Sequence, residues 1–221
     1  MDSALLKTKT ALVTAGPTYE PIDPVRFIGN YSSGKMGFSI AEVLAENGAN
    51  VVLLTGPSNE TVKNPNIQRV DVTTSEDMYK KGMEYFSTSD ITVCAAAVAD
   101  YKPTQVSSEK IKKEDEVFTI ELTKTIDILN EFGKIKKKGQ ILVGFALETN
   151  NELENAKAKL SKKNLDFIVL NSLNDENAGF QHDTNKVTFI DINNDIQRFE
   201  LKSKKEVAKD IVEKIITIAS D

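Results

Sequence analysis

Five short runs of almost unbroken apolar residues recur along the chain: Ala11-Leu12-Val13, Val51 to Leu54, Ile91 to Ala96, Ile141 to Phe145 and Phe167 to Leu170. A strand with one wet face alternates apolar and polar residues, whereas a strand buried on both faces is apolar throughout. These runs therefore demand cover on two sides, and the segments between them supply it. Met36, Ile40, Val43 and Leu44 share one face of a helix that starts near Gly34 and stops at Asn47-Gly48. Thr74 and Asp77 have capping-box spacing ahead of a helix carrying Met78, Met83 and Phe86. The pattern predicts an α/β fold with a mostly parallel sheet and helices on both faces.

Further elements follow from weaker signals. A short strand is expected from Ile67 to Val72, another from the alternation of Phe118 to Leu122, and helices over Ile126 to Phe132 and Asn151 to Lys162. Lys186 to Ile192 and Gln197 to Leu201 flank Asn193-Asn194-Asp195, which reads as a C-terminal hairpin. Ser203 and Glu206 cap a final helix with Val207, Ile211 and Ile215 stacked along one side. No repeat or low-complexity linker divides the 221 residues, so one domain is the simplest organisation.

Composition narrows the chemistry. A net charge of −5 gives no global attraction to nucleic acid or membrane. Cys94 is the only cysteine, which excludes an internal disulfide and fits a reducing compartment. His182 is the only histidine, which rules out multi-histidine metal sites. No stretch of about 18 apolar residues occurs, and Met1 to Lys7 lacks a secretory apolar core. A cytoplasmic location is expected.

Three features invite chemistry. The connection from the first strand to the first helix, Gly16 to Ser33, far exceeds the usual length of about 2–6 residues, and long loops of this kind are often functional. It ends in Asn30-Tyr31-Ser32-Ser33-Gly34-Lys35-Met36-Gly37, where hydroxyls, glycines and a lysine meet a helix N-terminus. That is either an anion cradle or an N-cap beside a snorkelling lysine, and it matches neither phosphate-loop glycine signature. The fourth strand ends in Ala95-Ala96-Ala97-Val98-Ala99-Asp100-Tyr101. Small residues there let a ligand approach the backbone, with Asp100 facing a ribose or Mg²⁺; equally, alanines pack and Asp100 caps a turn. Lys110-Ile111-Lys112-Lys113, Lys159 and Lys163 are solvated charges or phosphate partners. A nicotinamide oxidoreductase and a non-catalytic nucleotide sensor stand as rival readings, the first weakened by the missing G-x-G-x-x-G.

Several of these segments recur together in a known family. Thr14 to Thr18, Asp23 to Ile28, Asn30 to Gly37, Ala95 to Tyr101, Lys110 to Lys113, Gly144 to Thr149 and Lys163 to Asp166 resemble the bacterial, CTP-dependent phosphopantothenoylcysteine synthetases, in that family's order. The resemblance implies a Rossmann-like fold, a homodimer, and a ligase that joins 4'-phosphopantothenate to L-cysteine in coenzyme A biosynthesis. It further implies CTP as co-substrate with Mg²⁺ held through the nucleotide phosphates, an acyl-cytidylate intermediate, and release of CMP and pyrophosphate.

By the same resemblance Asn30 and Lys110 are the catalytic residues. Ser32, Gly34, Lys35, Cys94, Ala95, Ala96, Asp100, Lys110, Ile126, Asp127, Ile128, Leu129, Phe145, Lys159 and Lys163 are nucleotide-binding. Arg26, Asn30, Ala96 and Ala97 bind the acyl substrate, with Arg26 reaching its phosphate across the dimer. Two positions depart from the family: Tyr31 stands where histidine is frequent, and Ile126 where bacterial members commonly have proline. Family members are often fused behind a flavin-dependent phosphopantothenoylcysteine decarboxylase, so residues 9–221 are expected to form the ligase domain and residues 1–8 a leader or linker.

Overall fold

The computed structural model describes residues 5–113, 117–148, 150–172 and 183–220. Thr149, His182 and the first four residues of the expected leader lie outside them. In chain order the elements are β1 (Thr10–Ala15), β2 (Tyr19–Pro21), β3 (Phe27–Gly29), α1 (Lys35–Glu46), β4 (Asn50–Thr55), β5 (Ile67–Asp71), α2 (Ser75–Phe86), β6 (Ile91–Cys94), β7 (Tyr101–Pro103) and β8 (Leu122–Lys124). There follow α3 (Ile128–Ile135), β9 (Ile141–Glu148), α4 (Glu152–Lys162), β10 (Phe167–Ser172), β11 (Thr184–Asn185), β12 (Val187–Asp191), β13 (Ile196–Arg198), β14 (Lys202–Ser203) and α5 (Lys204–Ser220).

The five apolar runs become the central strands of an eight-stranded sheet in the order β13-β12-β10-β9-β6-β1-β4-β5. The strands from β10 to β5 are parallel, and the β12–β13 hairpin adds an antiparallel edge. The pleat sends alternate residues to opposite faces. Ala11, Val13 and Ala15 pack with α1 and α5, including Phe38, Leu44, Val207 and Ile211. Leu12 and Leu142 pack with α2, α3 and α4, including Met78, Phe86, Phe132 and Leu160. Phe86 and Phe132 stack at 4.4 Å between ring centroids and join α2 to α3. Both faces are covered, as the unbroken apolar runs require. Among the described residues no helix is long and apolar enough to cross a membrane.

Strand order reverses between β1 and β6, because β4 and β5 extend one way and β9 and β10 the other. Crossovers leave in opposite directions there, which opens a crevice beyond the carboxyl ends of the two strands. The β1–β6 pairing continues irregularly past Cys94: Ala95 N donates to Thr14 O at 3.1 Å and Ala97 N to Gly16 O at 2.9 Å. Thr18 Oγ1 accepts from Ala99 N at 2.9 Å, and Thr125 Oγ1 donates to Ala99 O at 2.6 Å. The row of small residues is thus sewn in place from both sides.

Several sequence expectations shift. Residues 117–121 form no strand; the strand lies at Leu122–Lys124 and pairs antiparallel with Tyr101–Pro103. Alternation alone placed it too early, since Phe118 is exposed and lies outside any strand. The long Gly16–Ser33 connection contains its own hairpin, β2 against β3, with Tyr19 stacked on Phe27 at 3.8 Å. The hairpin is anchored by Glu20, 1% exposed, whose Oε1 accepts from Ser75 N at 2.8 Å. The fourth strand ends at Cys94 rather than Ala96, and the third helix spans Ile128–Ile135 behind the N-cap Asp127. Leu6, in the segment expected to be a leader, is 1% exposed and donates its N–H to Asn47 O at 3.0 Å.

Candidate active site

Beyond β1, β6 and β9, on the α2–α3 face, lies a cavity of about 560 Å³. Of the residues expected to bind nucleotide, Cys94, Ala96, Asp100, Ile126, Asp127, Ile128, Leu129, Phe145 and Lys163 line it. They reach it from four segments: the β6 tip, the β8–α3 turn, β9 and the end of α4. Gly144 keeps the floor low, since a Cβ there would lie 2.7 Å from Leu129 Cδ2. Asp127 caps α3 by accepting from Asn130 N at 3.0 Å, while its other oxygen pairs with Lys163 Nζ at 2.9 Å. Burial pushes the Cys94 thiol up to about 12, so the pocket holds a neutral sulfhydryl beside Thr14.

On the opposite face is a second, narrow cleft of about 40 Å³, lined by Ser32, Gly34, Lys35 and Ala95 among others. It opens at the N-terminus of α1, where Gly34 caps the helix with φ of 88°, a left-handed value that suits glycine and leaves no side-chain cap. A helix start favours an anion through its dipole, although here Gly34 N donates to Ser32 Oγ at 3.3 Å and Lys35 N to Ser33 Oγ at 3.5 Å. Lys204, the first residue of α5, projects into the same cleft and is 7% exposed. Loss of water around it, and then the charge of Lys35, lower its pKa. Asn171 lines this cleft, and its buried Oδ1 has no hydrogen-bond partner among the described residues.

Asn30 lines neither cavity; its Nδ2 donates to Ala97 O at 3.0 Å, which sets the asparagine over the β6 tip. The other expected residues lie at the margin. Lys110 is exposed on the loop after β7. Arg26 lies in the β2–β3 turn, with its guanidinium on Asp23 and on Ile111 O at 2.8 Å. Lys159 lines neither cavity and pairs with Glu148 at 2.6 Å. Among the described residues no cluster of three or more histidine, cysteine or acidic side chains is poised for a metal.

Sequence reasoning overlooked Thr14, Met78, Val98, Tyr101, Lys124 and Thr125 in the large cavity, and Asn171, Asn185 and Lys204 in the small one. Thr14 was within reach of it, because it faces Cys94 in the β1–β6 register and so shares its side of the sheet. Lys204 comes from the far end of the chain with no local signal.

Residues 6–218 match the model of the DNA/pantothenate metabolism flavoprotein C-terminal domain. A cysteine/cysteine sulfinic acid decarboxylase from an unknown prokaryotic organism is 51% identical over 96% of this chain and 59% of its own length. The coenzyme A biosynthesis bifunctional protein CoaBC of Bacillus subtilis (strain 168) is 42% identical over 98% of this chain and 53% of its own. The crystal structure of the C-terminal domain of a coenzyme A biosynthesis bifunctional protein CoaBC aligns with a TM-score of 0.84 at 38% identity, covering 100% of both chains. The chain thus spans about half the length of the curated relatives it matches.

These matches correct the expected membership of a bacterial, CTP-dependent synthetase class. The matching model is described as a flavoprotein C-terminal domain, the 51% identical relative carries a decarboxylase's name, and none of these matches distinguishes a nucleotide. With nearly its whole length matched, the chain belongs to the family of DNA/pantothenate metabolism flavoprotein C-terminal domains.

Proposed function

We propose that the chain catalyses an amide-forming ligation of 4'-phosphopantothenate with L-cysteine, a step of coenzyme A biosynthesis, using CTP to activate the carboxylate. One observation carries the reading: a nucleoside-sized cavity and a lysine-bordered cleft flank the tip of β6, lined by Cys94 and Ala96 on one side and by Ala95 on the other, and the Asn30 amide bonds to Ala97 O just beyond. Pockets of about 300–1,000 Å³ take ligands of this size. Membership of a pantothenate-metabolism family supports the metabolic setting.

A carboxylate at neutral pH is a poor electrophile, and an amine does not displace oxide from it. In the first step a carboxylate oxygen of phosphopantothenate bonds to the α-phosphorus while the bond to pyrophosphate breaks. In the second the cysteine amine bonds to the acyl carbon, the acyl–phosphate bond breaks, CMP leaves and the amine sheds a proton. Negative charge develops on oxygen in both steps, so fixed donors are the effective catalysts. Asn30 offers an amide N–H and is held by Ala97 O in a loop that is itself sewn down. The base and ribose occupy the large cavity, while the outer phosphates cross the β6 tip to Lys35 and the start of α1. Lys110 neutralises charge on the phosphates, and the planar fork of Arg26 suits a phosphate monoester. Lys159, turned to Glu148, lies apart from this set.

Mg²⁺ when bound neutralises phosphate charge and orients the oxygens. The residues fit an ion held mainly by phosphates and water, because Asp100 is an exposed cavity carboxylate with no ion pair among the described residues. The working unit is a homodimer in which Arg26 serves the partner's substrate; Val25 at 61% and Phe27 at 49% exposure flank it as apolar anchors. Asn30→Ala tests the central role. Loss of one oxyanion-type donor lowers kcat by about 10²–10³, and the loop position leaves the thermal midpoint unchanged. Near-normal turnover would remove Asn30 from the chemistry.

A further inference from the structure

Lys110 looks like a residue on a free strap, since its side chain is exposed and its neighbours are polar. Its backbone is held on both sides. Three residues before it, Ser107 N donates to Ile22 O at 3.0 Å, and Ser107 Oγ donates to Glu109 O at 2.6 Å. Immediately after it, Ile111 N donates to Asp23 Oδ2 at 3.1 Å, while Ile111 O accepts from Arg26 Nη2 at 2.8 Å. Both backbone polar groups of Ile111 therefore fasten to the turn that carries Arg26.

The fastening centres on Asp23, whose side chain is fully shielded from water. Asp23 Oδ1 accepts from Val25 N and Arg26 N at 2.8 Å each. Asp23 Oδ2 accepts from Arg26 Nε at 3.0 Å, from Arg26 Nη2, and from Ile111 N. These are charge-assisted bonds to a planar fork, the strong kind. They consume one edge of the guanidinium. Nη2 also serves Ile111 O, and the Arg26 side chain remains 44% exposed, so Nη1 is the donor group left to face outward, with its direction set.

We propose that Asp23 is a positioning residue for both peripheral cations of the reaction: its carboxylate clamps the peptide behind Lys110 and turns Nη1 of Arg26 toward its phosphate. What the two cations bind rests on the ligase reading; the clamp does not. Lys110 and Arg26 are set as one unit. Because Arg26 serves the partner's substrate phosphate, the clamp ties the Lys110 of one chain to the substrate held by the other.

Asp23→Asn keeps the shape of the side chain but presents an amide NH₂ where a second anionic oxygen received donors. The first measurement needs no activity. Trypsin cleavage at the Lys110–Ile111 bond, resolved by mass, should accelerate about tenfold relative to the exposed Lys138–Gly139 bond, because cleavage requires local opening. An unchanged ratio overturns the clamp. The second is a kinetic cycle. Asp23→Asn should lower kcat and raise KM for phosphopantothenate. In a Lys110→Ala background the kcat penalty should shrink to within about twofold, and in an Arg26→Ala background the KM penalty should do the same. Penalties of equal size in all backgrounds would mean that Asp23 supports the fold and positions neither cation. A wild-type chain with no ligase activity would remove the ligase reading while leaving the cleavage ratio to decide the clamp.

Discussion

Two regions at the carboxyl edge of the sheet are built from adjacent residues and suit opposite ligands. Cys94 and Ala96 face the α2–α3 side, where the cavity is about 560 Å³ and mixes Met78, Leu129 and Phe145 with scattered polar groups. Ala95, between them in sequence, faces the α1 side, where a cleft of about 40 Å³ is bordered by Lys35, Lys204 and a helix start. On the proposed reading, one strand tip sorts a nucleotide by its pleat: the large, partly apolar half to one face and the anionic half to the other. The lesson is that a run of alanines is informative because consecutive residues serve different chambers.

The comparison can be broken in order of expected effect. Gly37→Val acts on the α1 side alone, since even a Cβ there would lie 2.5 Å from Ala15 Cβ and 3.1 Å from Ala15 Cα. Backbone cannot yield as a side chain can, so overpacking should cost about 1–3 kcal/mol of stability. CTP binding should fall steeply while cytidine, measured by calorimetry below the new melting point, still binds. Lys35→Ala is a finer cut: affinity for CTP should drop about tenfold, the scale of one charge-assisted contact, with cytidine unaffected. Equal losses for both ligands would erase the distinction between the chambers.

Smaller still is the response of Cys94. With its thiol pushed up to about 12, alkylation by iodoacetamide at pH 8 should be far slower than for a free thiol, and should rise with pH throughout the range to 11. The same shift has a sign for stability. The folded state holds the proton more tightly than the unfolded chain, so no stability is lost below the ordinary thiol range, and stability falls as pH climbs through it toward 12. Fast alkylation at pH 8 would show that the pocket floor is open to water.

The sheet and its two-sided cover were legible because local periodicity encodes them. Val51 to Leu54 and Ile141 to Phe145 are apolar whichever way they point, which only burial on both faces allows. The cavity's Asp127-Ile128-Leu129 segment came from the family resemblance and not from a local signal; the residues suggested a helix from Ile126, and it starts at Ile128. The arm around Arg26 was not legible. Tyr19–Pro21 and Phe27–Gly29 are too short for a periodic signal, and Glu20 reveals its role only through Ser75, far along the chain. Phe118 misled for the converse reason, having alternation but no sheet to join. Lys204 and Asn171 reach the narrow cleft from separate strands and helices, which tertiary packing alone brings together.

The account turns on a nucleotide activating a carboxylate at this edge, and pyrophosphate release measures that most directly. Purified chain with Mg²⁺ and CTP should release pyrophosphate only when phosphopantothenate is added. Adding cysteine should then yield CMP, pyrophosphate and phosphopantothenoylcysteine in equal amounts. Pyrophosphate release that ignores phosphopantothenate, or carbon dioxide from cysteine without any pyrophosphate, would contradict the account.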